Sequence, residues 1–197
     1  MKPLCLSRRR ALLLSASLCL PAIGVQSAQP ALPGSSVYQL RPPLTDQNGQ
    51  AFDIASLRGQ PALVSMFYGS CDMVCPMIFQ TIAQTVQTLP ARDRVRVRVL
   101  MVSFDPQRDS VAVLKQLAQT HQCDAQWTLA RTDEDQARLL AAVLGVQYRR
   151  LPSGEFNHSS TVLLLDAQGR IVARSGLLGR VDPLLLRALQ AQLLPRS

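Results

Sequence analysis

The sequence predicts an α/β fold in which a central mixed β-sheet is flanked by helices. Three observations predict it. Short apolar runs rich in Val, Leu and Phe alternate with amphipathic stretches along residues 42–197. Proline, glycine and Asn-Gly signals punctuate the boundaries. The resulting order is strand, helix, strand, helix, strand, helix, hairpin, helix, which implies a sheet covered by helices.

Each element follows from a local pattern. "LTDQNGQAFDIASLRGQ" carries an Asn48-Gly49 turn between short segments, a hairpin signal. "PALVSMFY" is a buried strand that feeds Cys71. Pro76 stands where a helix would begin, since proline at the first helical position loses no needed hydrogen bond. Met77, Ile78, Ile82, Val86 and Leu89 give that helix its apolar face, and Pro90 ends it. "RVRVRVLMVSFD" alternates basic and apolar residues and then turns fully apolar, a strand running from an exposed end into a core. "DSVAVLKQLAQTH" is a helix capped by Asp109 or Ser110. "WTLA" is a short strand. "TDEDQARLLAAVLG" is a helix capped at Thr132 or Asp133, with acids in its first turn and Gly145 as its stop. Its stripe of Leu139, Leu140, Val143 and Leu144 is expected in the core. "STVLLLD" and "RIVARSG" pair across Ala167-Gln168-Gly169, and "DPLLLRALQAQLL" closes the chain as a helix.

The N-terminus reads as an export segment, residues 1–28. Lys2 and Arg8-Arg9-Arg10 form a positive region, and "ALLLSASLCLPAIGV" is an apolar stretch shorter than a membrane span. The cleavage site falls among Ser27, Ala28 and Ala31, and an uncleaved anchor is the alternative. The twin arginine also hints at export in the folded state. Residues 29–41, rich in Pro, Ser and Ala, read as a tether to a domain at residues 42–197. The net charge is +8; residues 1–28 hold four basic residues and no acid, so the exported form carries +4. That mild, scattered excess lacks the aromatic-interleaved basic stripe of a nucleic-acid binder.

Of five cysteines, Cys71, Cys75 and Cys123 lie outside the export segment. Exported proteins meet an oxidising compartment, but a pair plus one leftover does not staple a scaffold. The thioredoxin-like fold has this element order and places its reactive cysteines where the first core strand meets its helix. A helix N-terminus lowers a cysteine pKa, making a better nucleophile and metal ligand. Spacing of i, i+4 sets both sulfurs on one side of the first turn. Two thiolates suit a soft ion such as Cu(I) and leave room for a third donor. His158 in "EFNHSSTVLLLD" enters a buried strand whose preceding loop, in such a sheet, faces the cysteine helix. A Cys, Cys, His set suits trigonal Cu(I), or Cu(II) with a further ligand.

These residues resemble the Sco/SenC family of exported thioredoxin-like proteins. The resemblance rests on Cys71, Cys75 and Pro76, then "VSFDPQRD" from Val102 to Asp109, then His158, Ser159, Asp166 and Gly169, with "WTLA" and "LGVQY" between. It covers roughly Tyr38 to Leu194. It implies copper ligation by Cys71, Cys75 and His158, periplasmic location, and service in assembling the dinuclear CuA centre of cytochrome c oxidase. The copper-accepting oxidase subunit is then the partner. The same resemblance implies an alternative, a thiol-disulfide reductase keeping that subunit's cysteines reduced through a Cys71–Cys75 redox pair. Two departures stand out: Asp72 replaces a frequent proline, and Gly69 a frequent threonine.

Other residues read blandly. Met73 reads as a lid or core residue rather than a ligand, and Met77 as core. Asp105 either hydrogen-bonds near the site or caps the next turn. His121 ends a helix and Cys123 is buried, without a second metal site. A peroxidase of the peroxiredoxin type needs a Pro-x-x-x-Thr-x-x-Cys context, which "SMFYGSC" lacks. A structural zinc site would want a fourth protein ligand.

Overall fold

A computed structural model describes residues 31–194. The expected export segment therefore lies outside the described residues. The elements are β1 (Leu44–Asp46), β2 (Ala51–Phe52), β3 (Ala62–Phe67), α1 (Val74–Gln87), α2 (Ala91–Arg94), β4 (Arg98–Ser103) and α3 (Val111–Thr120). They continue with β5 (Trp127–Arg131), α4 (Glu134–Leu144), β6 (Tyr148–Arg150), β7 (Phe156–His158), β8 (Val162–Leu165), β9 (Ile171–Ser175) and α5 (Pro183–Leu193).

Seven strands form one mixed sheet in the order β2-β1-β5-β4-β3-β8-β9. β3, β4 and β5 pair in parallel, and β8 joins β3 antiparallel. All six residues of β3 are buried, as are five of six in β4 and all four in β8. These central strands are covered on both faces, so they read as continuous apolar runs rather than alternating ones. β9, at the edge, alternates instead. This is the thioredoxin-like arrangement that the element order predicts.

Caps explain most helix boundaries. The Ser110 and Asp133 side chains accept from the N–H groups of Val113 and Gln136, and Asp182 from Leu184. Gly145 ends α4 at φ 67°, in the left-handed region that glycine enters without a Cβ penalty.

The structure differs from the sequence expectations in four places. α1 starts at Val74, two residues before Pro76; proline is tolerated there because the first four helical N–H groups have no intrahelical partner anyway. With that start, Cys75, Ile78, Phe79, Ile82 and Val86 form the buried stripe, and Met77 turns aside toward Gly179 and is exposed. In α4 the buried face is Ala137, Leu140, Ala141 and Leu144, so Leu139 and Val143 lie off the core. The second half of the tether stretch packs onto the domain: Val37 and Tyr38 are buried in a 3-10 turn capped by Ser36. Finally, residues 148–158 form a separate two-stranded sheet, β6-β7, that the sequence patterns do not announce.

Candidate metal centre

Two segments converge at the C-terminal end of β3. One is the loop from Gly69 to Met73 and the first turn of α1, carrying Cys71 and Cys75. The other is β7, ending in His158. The ligand atoms of Cys71, Cys75 and His158 all lie within 4.8 Å of one another. Among the described residues this is the group of His, Cys, Asp and Glu side chains close enough to hold a metal ion. Sequence reasoning singled out these three residues, and the fold brings all three together.

The two sulfurs are not equivalent. Cys71 is half-buried and Cys75 is buried. Burial works against the Cys71 thiolate, but the Cys75 N–H donates to its sulfur at 3.3 Å, and the Cys75 thiol, the Met73 N–H and the Tyr68 hydroxyl favour the anion from close by. Together they hold the Cys71 thiol below its ordinary pKa. Burial pushes the Cys75 thiol up, and the charges of Cys71 and Asp109 add to the effect. Cys71 is therefore the sulfur that ionises first. Cys75 gives up its proton only when a cation or an exchange partner compensates the charge.

His158 is held by aromatic rings. Tyr68 meets it edge to face at 5.7 Å and Phe104 lies at 5.2 Å. Burial lowers its pKa, opposed by contact with the Ser159 carbonyl, so the imidazole is neutral at pH 7. That carbonyl, 3.3 Å from Nδ1, can only accept. A proton on Nδ1 leaves Nε2 with a free lone pair, the form that binds metals.

The hairpin that carries His158 is pinned to the sheet. Arg108 donates through Nε to Asp105 and through a terminal nitrogen to the Gly154 carbonyl at 2.7 Å. Asp105 is buried, so its carboxylate needs that partner. Of the two sequence readings of Asp105, the turn is realised: its carbonyl accepts from the N–H groups of Arg108 and Asp109, and its carboxylate reaches the hairpin only through Arg108. Tyr68, just after β3, donates to Glu155 at 2.6 Å, a second tie between the sheet and the hairpin.

Asp109 was weighed as a helix cap, yet Ser110 caps α3 and Asp109 points inward. Its carboxylate accepts the Gly69 N–H at 2.9 and 3.1 Å and the Ser103 hydroxyl. It fixes the start of the cysteine loop. Tyr68, Glu155, Arg108 and Asp109 are the functional supports that sequence reasoning missed. The "DPQRD" motif contained two of them, but nothing local marked the direction of the side chains.

His121 and Cys123 do not join the centre. His121 ends α3 and stacks on Phe79 at 4.0 Å. Burial pushes the half-buried Cys123 thiol up to about 12. Cys71, Cys75 and Cys123 are all free thiols.

The donor set defines the chemistry. Two sulfurs and one imidazole suit thiophilic ions and offer little to hard oxygen-seeking ones. Three donors satisfy trigonal coordination and leave a tetrahedral ion one short.

Comparison with known proteins agrees with this geometry. The family model described as SCO1/SenC matches residues 36–183. An SCO2-like protein of Rickettsia prowazekii is 28% identical over 133 residues, covering 64% of this chain and 63% of that protein. The chain thus spans less than two thirds of that relative's length. Among solved structures, Bradyrhizobium japonicum ScoI with copper bound superposes with a TM-score of 0.64 at 24% identity, over 77% of this chain and 95% of that one. A SCO1/SenC family lipoprotein from Bacillus anthracis gives 0.68 at 20% identity, over 76% and 91%. At these identities the solved structures speak for the fold.

Proposed function

The chain belongs to the SCO1/SenC family, and from that premise we propose that it is an exported copper-binding protein that assists assembly of a CuA centre. The observation that carries this reading is the convergence of the Cys71, Cys75 and His158 ligand atoms within 4.8 Å. Copper is the cargo. Two thiolates and a neutral imidazole fit Cu(I), and a further donor would let them hold Cu(II). The recipient is the copper-accepting subunit of cytochrome c oxidase. The positive segment and apolar stretch of residues 1–28 support export to the periplasm, as a soluble domain or one anchored through that segment. Among the described residues no helix is long and apolar enough to cross a membrane.

A second reading is favoured by the asymmetry of the sulfurs. An accessible Cys71 with a lowered pKa and a buried Cys75 held protonated match the attacking and resolving thiols of a disulfide reductase. Cys71 would attack a substrate disulfide, and Cys75 would then displace the mixed disulfide, leaving a Cys71–Cys75 bond and two substrate thiols.

His158 separates the readings, because sulfur exchange does not need it. His158→Ala is expected to weaken copper binding ten- to a hundredfold, about 1.4–2.8 kcal/mol, and to leave reduction of a model disulfide intact. Loss of reductase activity with unchanged copper affinity would favour the reductase.

A further inference from the structure

Met73 stands between the two cysteines, and of the two roles expected of it, lid or core, the core one does not hold. It is not core: at 74% exposure it is the most exposed large apolar side chain among the described residues. It does not help the helix either. It occupies the N-cap of α1 with no side-chain cap hydrogen bond, where serine, threonine, aspartate or asparagine would supply one. α3, α4 and α5 all have such a cap, in Ser110, Asp133 and Asp182. Apart from the four-residue α2, which starts after Pro90, α1 is the one described α-helix that breaks the rule, and that points to function at the exception.

Its surroundings say which function. Met73 lines the same cavity, about 340 Å³, as Cys71 and His158. It lies midway between Cys71 and Cys75 in the chain, at the start of the helix that carries Cys75, and so sits beside the donor set. A thioether is neutral, needs no deprotonation and is soft, so it adds affinity for Cu(I) and little for Cu(II). We propose that the Met73 thioether is a fourth donor to the Cys71, Cys75, His158 centre and makes it selective for Cu(I). The inference rests on the copper reading above. Met77 is a built-in control: it is exposed, but its methyl lies beside Gly179 and it does not line the cavity.

The test uses the full chain with methyl-13C methionine, titrated anaerobically with Cu(I). The Met73 methyl resonance should shift and the Met77 resonance should stay. Competition against a chelator should show Met73→Leu binding Cu(I) about tenfold more weakly with Cu(II) affinity unchanged. The copper couple of that variant then falls by about 59 mV. Met73→Ser, which restores a cap, should lose the same Cu(I) affinity without losing thermal stability. An unmoved Met73 methyl, or equal loss of Cu(I) and Cu(II) affinity, overturns the proposal. If the parent chain binds one copper and Met73→Leu matches it, only this inference falls; if the parent chain binds none, the copper reading falls with it.

Discussion

Replacing Gly69 by alanine should destabilise the chain by about 2–4 kcal/mol, far more than one added methyl costs at an open surface. Gly69 lies in the turn between Tyr68 and Cys71 but has no positive φ, so its space is what matters. A Cβ there would fall inside van der Waals contact of Asp109 Oδ1, with Val113 Cγ1 at 3.1 Å and Asp109 Cγ at 3.2 Å. The Asp109 carboxylate cannot simply swing away. It is buried, and it accepts from the Gly69 N–H and the Ser103 hydroxyl. Losing a hydrogen bond to a buried charged group costs roughly 1.5–3 kcal/mol, and overpacking adds about 1–3 kcal/mol. Relaxation of the loop offsets part of that sum. Urea denaturation of the reduced protein measures it. The cycle with Asp109→Ala isolates the cause, because without the carboxylate the added methyl meets little. Gly69→Ala should then cost under about 1 kcal/mol, giving a coupling near 2 kcal/mol. A Gly69→Ala variant within about 0.5 kcal/mol of the parent, or an equal cost in both backgrounds, would refute the packing argument.

Two further outcomes follow from the electrostatics. Iodoacetamide at neutral pH should label Cys71 at least about tenfold faster than Cys75 or Cys123, since only Cys71 combines access with a lowered pKa; peptide mass spectrometry reads the order, and equal rates would contradict it. Asp166 accepts from the Gln168 N–H and from the Arg170 backbone and side chain, and these bonds hold its pKa below the usual value against the effect of burial. Its stabilisation is therefore full above the unfolded value near 3.9 and is lost as pH falls through the lower folded value. Asp166→Asn should cost about 1–2 kcal/mol at pH 7, and the gap to the parent should close in acid; a gap that persists there would refute the assignment.

The fold was legible where one local signal sufficed. Ser110, Asp133 and Gly145 marked helix ends because caps act within one turn. β3, β4 and β8 were legible because strands covered on both faces need continuous apolar runs. The β6-β7 hairpin was not: Arg149, Arg150 and Asn157 give it no buried alternation, and it is held by Arg108 reaching Gly154 and by rings from β3 and its neighbourhood. Such ties run between residues far apart in sequence. The same holds at the site. Cys71, Cys75 and His158 could be named because their chemistry is rare and their spacing and order are specific. Asp109 looked like a cap from its neighbours, and only the packed loop at Gly69 reveals it as a buried acceptor. Met77, Leu139 and Val143 were placed in the core because apolar faces were read too wide: Ile78, Ile82, Val86, Leu140 and Leu144 are buried as expected, while these flanking residues are exposed.

The central claim is that two sulfurs from one loop and an imidazole from a distant hairpin make one copper site. Anaerobic equilibration of the reduced chain with Cu(I) under a competing chelator tests it most directly. The parent chain should retain one copper, Cys71→Ser and Cys75→Ser should each retain none, and oxidation to the Cys71–Cys75 disulfide should release the metal, because the bond consumes the same sulfurs. Full copper affinity in either serine variant would contradict the claim.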